Sequence, residues 1–352
     1  MTLPIPSEEK AVACSRMASK FMNNRVSQQR VQRSPLPVRD GLTSTRARLP
    51  VDVPAMRAWD FVQHLITTQR HRHPADDSAA LQERFDARLV VRRSGDPYEP
   101  DTMVQPGEDV FFYRMPAPEP LVPYGIDILY RDENLLVVDK PPFLATMPRG
   151  KHITETVTVR LRRSLDLPEL VPAHRLDRLT SGVLLLTVRK EVRGAYQRLF
   201  ADRAVTKTYE AIAPLRDLPV PQTWSSHMTK TPGDIQGFIT PGEPNAHTTL
   251  LDVQPVSPDE HLTLASVHGP LEPQARYFLQ PLTGRTHQLR LHMWAAGVPI
   301  LGDPVYPRIH TEAEENFRVP MHLRASSLAF VDPLSGEECN FAAPSRLFPT
   351  MT

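Results

Sequence analysis

Cysteine is nearly absent. The 352 residues carry Cys14 and Cys339 alone, which excludes a disulfide framework and a cysteine-based zinc site. Two unpaired thiols suit a reducing compartment. Long apolar runs are missing too. The N-terminus has no stretch resembling a signal peptide. The run Val183–Val188 is far too short to span a bilayer. These absences lead to the expectation of a soluble, cytoplasmic protein. A basic excess is also lacking: net charge is only +1, with 41 basic and 40 acidic residues. Bulk charge therefore does not announce a nucleic-acid binder, and any such site must come from local clustering. Lysine is scarce. Seven of the 41 basic residues are Lys and 34 are Arg. Arginine offers phosphate a planar fork and stacks on bases, as Lys does not. A GC-rich genome would explain the Arg bias and the 37 prolines equally well.

What is present is an ordinary globular composition, 40% hydrophobic and 23% charged. The length exceeds one average domain. Residues 1–50 are polar and without periodicity, which predicts a mobile basic tail. Residues 51–115 read as a small N-terminal module. Trp59, Phe61, Val62, Leu65 and Ile66 have helical spacing. Arg84–Val91, a Gly95-Asp96-Pro97 turn and Asp109–Tyr113 predict short strands. Residues 116–123 form a Pro-rich linker.

From residue 124 to 352 the pattern is dense. Ile126–Tyr130 and Leu135–Asp139 read as a hairpin closed by Pro141-Pro142. Val157, Leu161 and Leu165 mark a helix face; Val192, Tyr196, Leu199 and Phe200 mark another. Val183–Val188, Val205–Ala213 and Ala275–Gln280 read as strands, and Thr286–Ala296 as a helix stopped by Gly297 and Pro299. A last hairpin joins Ser326–Val331 to Glu338–Ala342. Strand runs without strict βαβ alternation predict an α+β fold with a mainly antiparallel sheet.

Three segments hold residue types that do chemistry. His174-Arg175-Leu176-Asp177-Arg178-Leu179-Thr180-Ser181-Gly182 places one acid between two arginines, directly before an apolar strand. Flanking guanidinium groups favour the ionised form of a carboxylate. That suits a nucleophile or base, and it equally suits a salt bridge pinning a turn. Thr283-Gly284-Arg285-Thr286-His287-Gln288-Leu289-Arg290-Leu291-His292 offers backbone N–H groups and cations at a helix start, a combination that favours an anion. Simple capping by Thr286 is the plainer reading. His287 and His292 lie five apart, off the i, i+4 spacing of a helical metal pair. They read as hydrogen-bonding or core histidines. In Lys207-Thr208-Tyr209-Glu210-Ala211, Lys207 and Tyr209 share one strand face.

In this order, with Asp132-Glu133-Asn134-Leu135-Leu136-Val137-Val138-Asp139-Lys140-Pro141 before them and Gly302-Asp303-Pro304-Val305-Tyr306 after, these segments resemble the RluA family of RNA pseudouridine synthases. The likeness covers roughly residues 121–345. It implies the pseudouridine synthase catalytic fold, a long mixed, mostly antiparallel sheet flanked by helices with the RNA cleft across its middle. It implies conversion of uridine to pseudouridine in rRNA or tRNA, with the target base flipped out. Asp177 would be the catalytic carboxylate. Tyr209 would pack on the uracil and assist removal of the C5 proton. Arg285 would pair with Asp177, Arg290 being the weaker candidate. Arg175, Arg178, Lys207, His287 and Arg290 would contact RNA. No cofactor, metal or obligatory protein partner is implied, and a monomer is expected. Residues 51–115 would be a degenerate S4-like module. The alternative is an inactive RNA-binding protein on the same fold. The joint presence of Asp177, Tyr209 and Arg285 argues against it. A glycosidase needs two acids, and the Asp177 loop offers no second one.

Overall fold

The computed structural model describes residues 34–231, 233–309 and 315–350. The chain divides between Pro118 and Glu119 into two compact units. The first unit holds β1 (Thr45–Arg48), β2 (Met56–Arg57), α1 (Ala58–Thr67), α2 (Ser78–Asp86), β3 (Met103–Val104) and β4 (Asp109–Phe112). β1 pairs with β4 and β2 with β3, both antiparallel. Helix α1 buries Phe61, Val62, Leu65 and Ile66, the stripe its spacing predicts. They join Leu49, Leu81, Phe85, Val110 and Phe112 in a small core.

Two expectations need correction here. Residues 45–48, placed in the tail, form β1, and Leu49 is buried. Residues 1–33 lie outside the described residues. Arg84 is not in a strand. It closes α2, where Asp77 caps the first turn by accepting from the Ala79 and Ala80 N–H groups. Arg84 is held by an ion pair of 2.7 Å with buried Asp76. The helix ends at Asp86, and left-handed Arg88 (φ 57°) turns the chain before Val90–Val91, a break that an arginine does not signal in sequence.

The second unit contains β5 (Asp127–Arg131), β6 (Leu135–Lys140), α3 (Val157–Leu165), β7 (Val171–Pro172), β8 (Ser181–Thr187), α4 (Arg193–Ala201), β9 (Val205–Pro214), β10 (Gln222–Ser226), β11 (Met228–Thr229), β12 (Phe238–Ile239), β13 (Ala246–Pro255), α5 (Pro258–His268), β14 (Gln274–Pro281), α6 (Gln288–Ala295), β15 (Leu323–Val331) and β16 (Glu338–Ala342). Its start is pinned: the Glu119 carboxylate accepts from the Ile153, Thr154 and Glu155 N–H groups. Ten strands form one sheet in the order β10-β13-β14-β9-β15-β8-β6-β5, with β16 on β15 and β7 on β8. Every pairing is antiparallel except β8 with β15. The fold is the α+β, mostly antiparallel one expected.

The sheet is covered on both faces at its middle. Leu136, Val138, Leu184 and Leu186 enter one core, under α3. Leu135, Val137, Val183 and Leu185 enter the other, under α4. Two-sided burial is why β6 and β8 read as unbroken apolar runs and do not alternate. β8 meets β15 only at Ser181–Arg324 and Gly182–Ala325. There the backbones nearly touch. A Cβ on Gly182 would lie 2.1 Å from the Ala325 carbonyl oxygen, and Gly182 has φ +106°. The glycine that ends the Asp177 loop is thus required by strand packing.

Candidate active site

The loop of residues 173–180 joins β7 to β8 and carries Asp177. Buried Thr146 grips it twice: its Oγ1 donates to the Leu176 carbonyl (2.8 Å) and accepts from the Leu176 N–H (3.2 Å). Leu176 and Leu179 point down into the core on either side of Asp177. Lys140, at the end of β6, grips it from below. This side chain is fully buried, and its Nζ donates to the carbonyls of Pro141 (2.8 Å), Leu144 (2.7 Å) and Arg178 (3.0 Å). Burial, and then the Arg178 charge, push its pKa well below the ordinary lysine value. The result is an acid held up on a rigid loop, its side chain 34% exposed.

Asp177 opens on a cavity of about 820 Å³ with Tyr209, Arg175, Lys207, Arg285, His287 and Arg290 in its walls. Tyr209 comes from β9, between Leu279 of β14 and Ala325 of β15. Its hydroxyl makes no hydrogen bond among the described residues. Burial, with the Asp177 charge second, raises its pKa.

The cation nearest Asp177 is Arg290, whose Nη1 lies 4.0 Å from Oδ2. The expected partner, Arg285, is elsewhere: it donates from Nε to the Asn245 carbonyl (3.1 Å). The reason is helical geometry. Arg285 precedes α6, in a turn that Gln288 closes. The Gln288 Oε1 accepts from the Arg285 N–H (3.0 Å) and the Thr283 hydroxyl (2.8 Å), while its Nε2 donates to His247 O and Thr248 Oγ1. Arg290 sits inside α6, on the face turned to the core, with its side chain 3% exposed. Asp303 holds it with two bonds, Nε to Oδ2 (2.8 Å) and Nη2 to Oδ1 (2.6 Å). Burial would lower the Arg290 pKa, but Asp303 outweighs it and the net direction is up.

Helix α6 is also shorter than the Thr286–Ala296 expected. Its N-cap is His287, in the left-handed region at φ 59°, and Thr286 does not cap it. That backbone turn brings His287 Nε2 to 4.0 Å from Asp177 Oδ2, with Nδ1 3.0 Å from the Tyr306 hydroxyl. Burial, then Arg290, lower the His287 pKa despite Asp177. The imidazole is therefore neutral at pH 7. His292 is a core residue, bonded to Thr248 at 2.9 Å.

Arg178 departs from expectation. It pairs with Glu315, donates to the Phe143 carbonyl and lies over the Phe143 ring. It is absent from the Asp177 cavity wall and lines a different cavity. On a tight loop, successive side chains diverge, so adjacency to Asp177 did not bring Arg178 to the same side. Asp303, Tyr306 and Gln288 lie in the segments that carry the likeness, and their residue types alone give them no role. The signal for Asp303 was an acid in a Gly-Asp-Pro turn. Nothing local pointed to Gln288. No described group of three His, Cys, Asp or Glu could hold a metal ion, and no described helix is long and apolar enough to cross a membrane.

Comparison with known proteins agrees with this architecture. A family described as RNA pseudouridylate synthase matches residues 134–295. An uncharacterised RNA pseudouridine synthase of Synechocystis is 30% identical over 243 residues, 68% of this chain and 77% of its own. The dual-specificity RNA pseudouridine synthase RluA of Haemophilus influenzae is 33% identical over 228 residues, 64% of this chain and 95% of its own. Among solved structures, human RNA pseudouridylate synthase domain containing 1 matches with a TM-score of 0.51 and 26% identity, covering 65% of this chain and 86% of that one. Matched in sequence over residues 134–295 and in structure over 65% of its length, the chain belongs to the RluA family of RNA pseudouridine synthases, isomerases acting on RNA.

Proposed function

We propose that Asp177 is the catalytic carboxylate and that a uridine of rRNA or tRNA is flipped into the cavity to reach it. The observation that carries this reading is the placement of Asp177. It is one partly exposed acid, fixed by Thr146 and Lys140, facing a cavity whose described lining holds no other acid and carries Arg149, Arg175, Arg203, Lys207, Arg285 and Arg290. Pseudouridine formation breaks the N1–C1′ bond, turns the uracil, and rejoins it through C5. The C5 proton leaves to a base. A carboxylate serves either as nucleophile at C1′ or as base at C2′. Arg290 stands beside Asp177 to balance its charge, and neutral His287 to help orient it. Tyr209 offers a flat surface for the uracil and an oxygen for proton transfer. A base stacked inside folded RNA cannot reach such a cavity, so flipping is required. Arg175, exposed on the same loop, is placed to fill the gap.

The test is release of tritium from RNA labelled at uracil C5. Wild-type protein should release label from unmodified tRNA or rRNA transcripts. Asp177→Asn should bind the same RNA and release none. Normal turnover by Asp177→Asn would remove Asp177 from the mechanism. Sequencing the product for the modified position would separate tRNA from rRNA.

A further inference from the structure

The proposed chemistry leaves one part of the cavity wall unused. It is formed where α4 ends and β9 begins, against His174. The His174 ring stacks on Phe200 of α4, centroids 4.4 Å apart and 19° between planes. Its Nε2 accepts from the Leu185 N–H at 3.1 Å. An accepting nitrogen carries no proton, so the proton of neutral His174 sits on Nδ1. Protonating Nε2 would set one N–H against another. Burial, with Lys207 second, also holds the His174 pKa down, near 3. The Nδ1–H has no partner among the described residues, and the ring lines the cavity. His174 thus presents a fixed neutral donor to whatever enters.

Two cations flank it. Lys207 is half-buried, and neither it nor Arg203 makes an ion pair or side-chain hydrogen bond among the described residues. Burial, then the Arg203 charge, lower the Lys207 pKa. Two like charges share a wall with no acid between them, an arrangement that is unfavourable until an anion binds. Arg203 adds an independent sign. It follows α4 in the left-handed region, φ 58°, where glycine is the ordinary choice. A long side chain there costs about 1 kcal/mol. Strain retained at a cavity wall points to use of the side chain.

We infer that Arg203, Lys207 and the Nδ1–H of His174 form a site for one backbone phosphate of the RNA strand that carries the target uridine. One non-bridging oxygen accepts a hydrogen bond from the His174 Nδ1–H, and the two cations balance the charge. The inference rests on the Asp177 reading above. It gives His174, three residues before Asp177, a part in positioning the strand.

The experiment uses the full chain and unmodified tRNA and rRNA transcripts labelled with tritium at uracil C5. The double variant Arg203→Gln, Lys207→Gln should raise KM about tenfold. Its single-turnover rate at saturating protein should stay within threefold of wild type. The slope of log affinity against log salt should fall by about 0.7–0.9, the change for one phosphate contact. His174 needs two variants. In His174→Gln the amide reaches the Nε2 position, keeping the Leu185 bond and losing the Nδ1 donor; KM should rise with little change in melting temperature. In His174→Asn the amide sits at the Nδ1 position; RNA affinity should hold while stability falls. An unchanged salt slope in the double variant, or unchanged KM in His174→Gln, overturns the site. So does loss confined to the saturated rate, which would assign these residues to chemistry. Failure of wild type to release tritium, or normal turnover by Asp177→Asn, strikes the Asp177 reading instead, while the salt slopes still report the phosphate site.

Discussion

Arg290 faces two carboxylates with different edges of one guanidinium. Nε and Nη2 bond Asp303 at 2.8 and 2.6 Å, and Nη1 stands 4.0 Å from Asp177. The tight pair is structural: Asp303 also accepts from the Val305 N–H (2.8 Å) and Tyr306 N–H (3.2 Å), and the Arg290 guanidinium lies 5.3 Å from the Tyr306 ring centroid. The looser contact is the one the proposed chemistry would use. A cation already locked by Asp303 costs no reorganisation as charge on Asp177 changes.

The two arginines of the basic segment should therefore separate cleanly. Arg290→Gln leaves Asp303 buried without its partner and Asp177 without its nearest cation. Tritium release should fall at least 100-fold, and stability by about 3 kcal/mol, the scale for breaking a buried pair. Arg285→Gln removes only an exposed bond to Asn245, so the single-turnover rate should stay within threefold. Equal losses from both would return Arg285 to the side of Asp177. Rates at saturating protein and urea midpoints decide.

Much of this was legible in the sequence, for reasons visible at particular residues. β6 and β8 stood out because both faces are buried. Asp177 stood out because the residue types around it are unusual together. Partner choice at the acid was not legible. Arg285 and Arg290 are both five or fewer residues from the helix start, and only the turn made by Gln288 and the left-handed His287 decides which faces Asp177. The stretch 215–273 was also opaque. β13 lies between β10 and β14 with Asp252 and Gln254 breaking its apolar alternation. Helix α5 buries Leu264 alone, so it shows no stripe. Its start is coded by the box of Ser257 and Glu260 with Pro258, a signal that residue type and spacing carry without an apolar stripe.

Lys140→Met tests the underside of the loop. The substitution keeps the volume and leaves three buried carbonyls without a donor. Each unmet group costs about 1–3 kcal/mol, partly offset because a buried ammonium is no longer needed. A loss of about 3 kcal/mol is expected, with kcat reduced more than tenfold in molecules that remain folded, because the Arg178 carbonyl anchors the turn that carries Asp177. A variant with wild-type kcat would show that Thr146 alone positions the acid.

Acid should weaken the fold well above the carboxylate range. Burial, then the neighbouring His247, holds His292 near pKa 4; burial, then His268 and Arg276, holds His322 near 3. Both are neutral in the native state. Once unfolded they titrate near 6.5, so the unfolded chain binds more protons below that pH. Their stabilising effect is complete above 6.5 and is lost as pH falls toward 4 and 3. Between pH 7.5 and 5.5 each should cost about 1 kcal/mol. Urea unfolding at the two pH values measures their sum together with the like contributions of His174 and His287, and His292→Gln should flatten the dependence. Stability constant across that interval would mean these rings are not held neutral.

Gly182→Ala bears on why the Asp177 loop ends as it does. The added methyl would meet the Ala325 oxygen at 2.1 Å and the Ala325 nitrogen at 2.6 Å, both backbone atoms that no side-chain rotation can move. The φ of +106° adds strain of about 1 kcal/mol or more for any residue with a Cβ. Either the β8–β15 contact opens or the loop shifts. Because that contact has only two paired positions, opening it is the easier response. Tyr209 is paired to Ala325 on the far side of β15, so the same movement would alter the spacing between Asp177 and Tyr209. The expected result is a loss of at least 2 kcal/mol, together with a fall in kcat larger than the rise in KM. A variant that loses stability but keeps kcat would show that the strand contact serves folding alone.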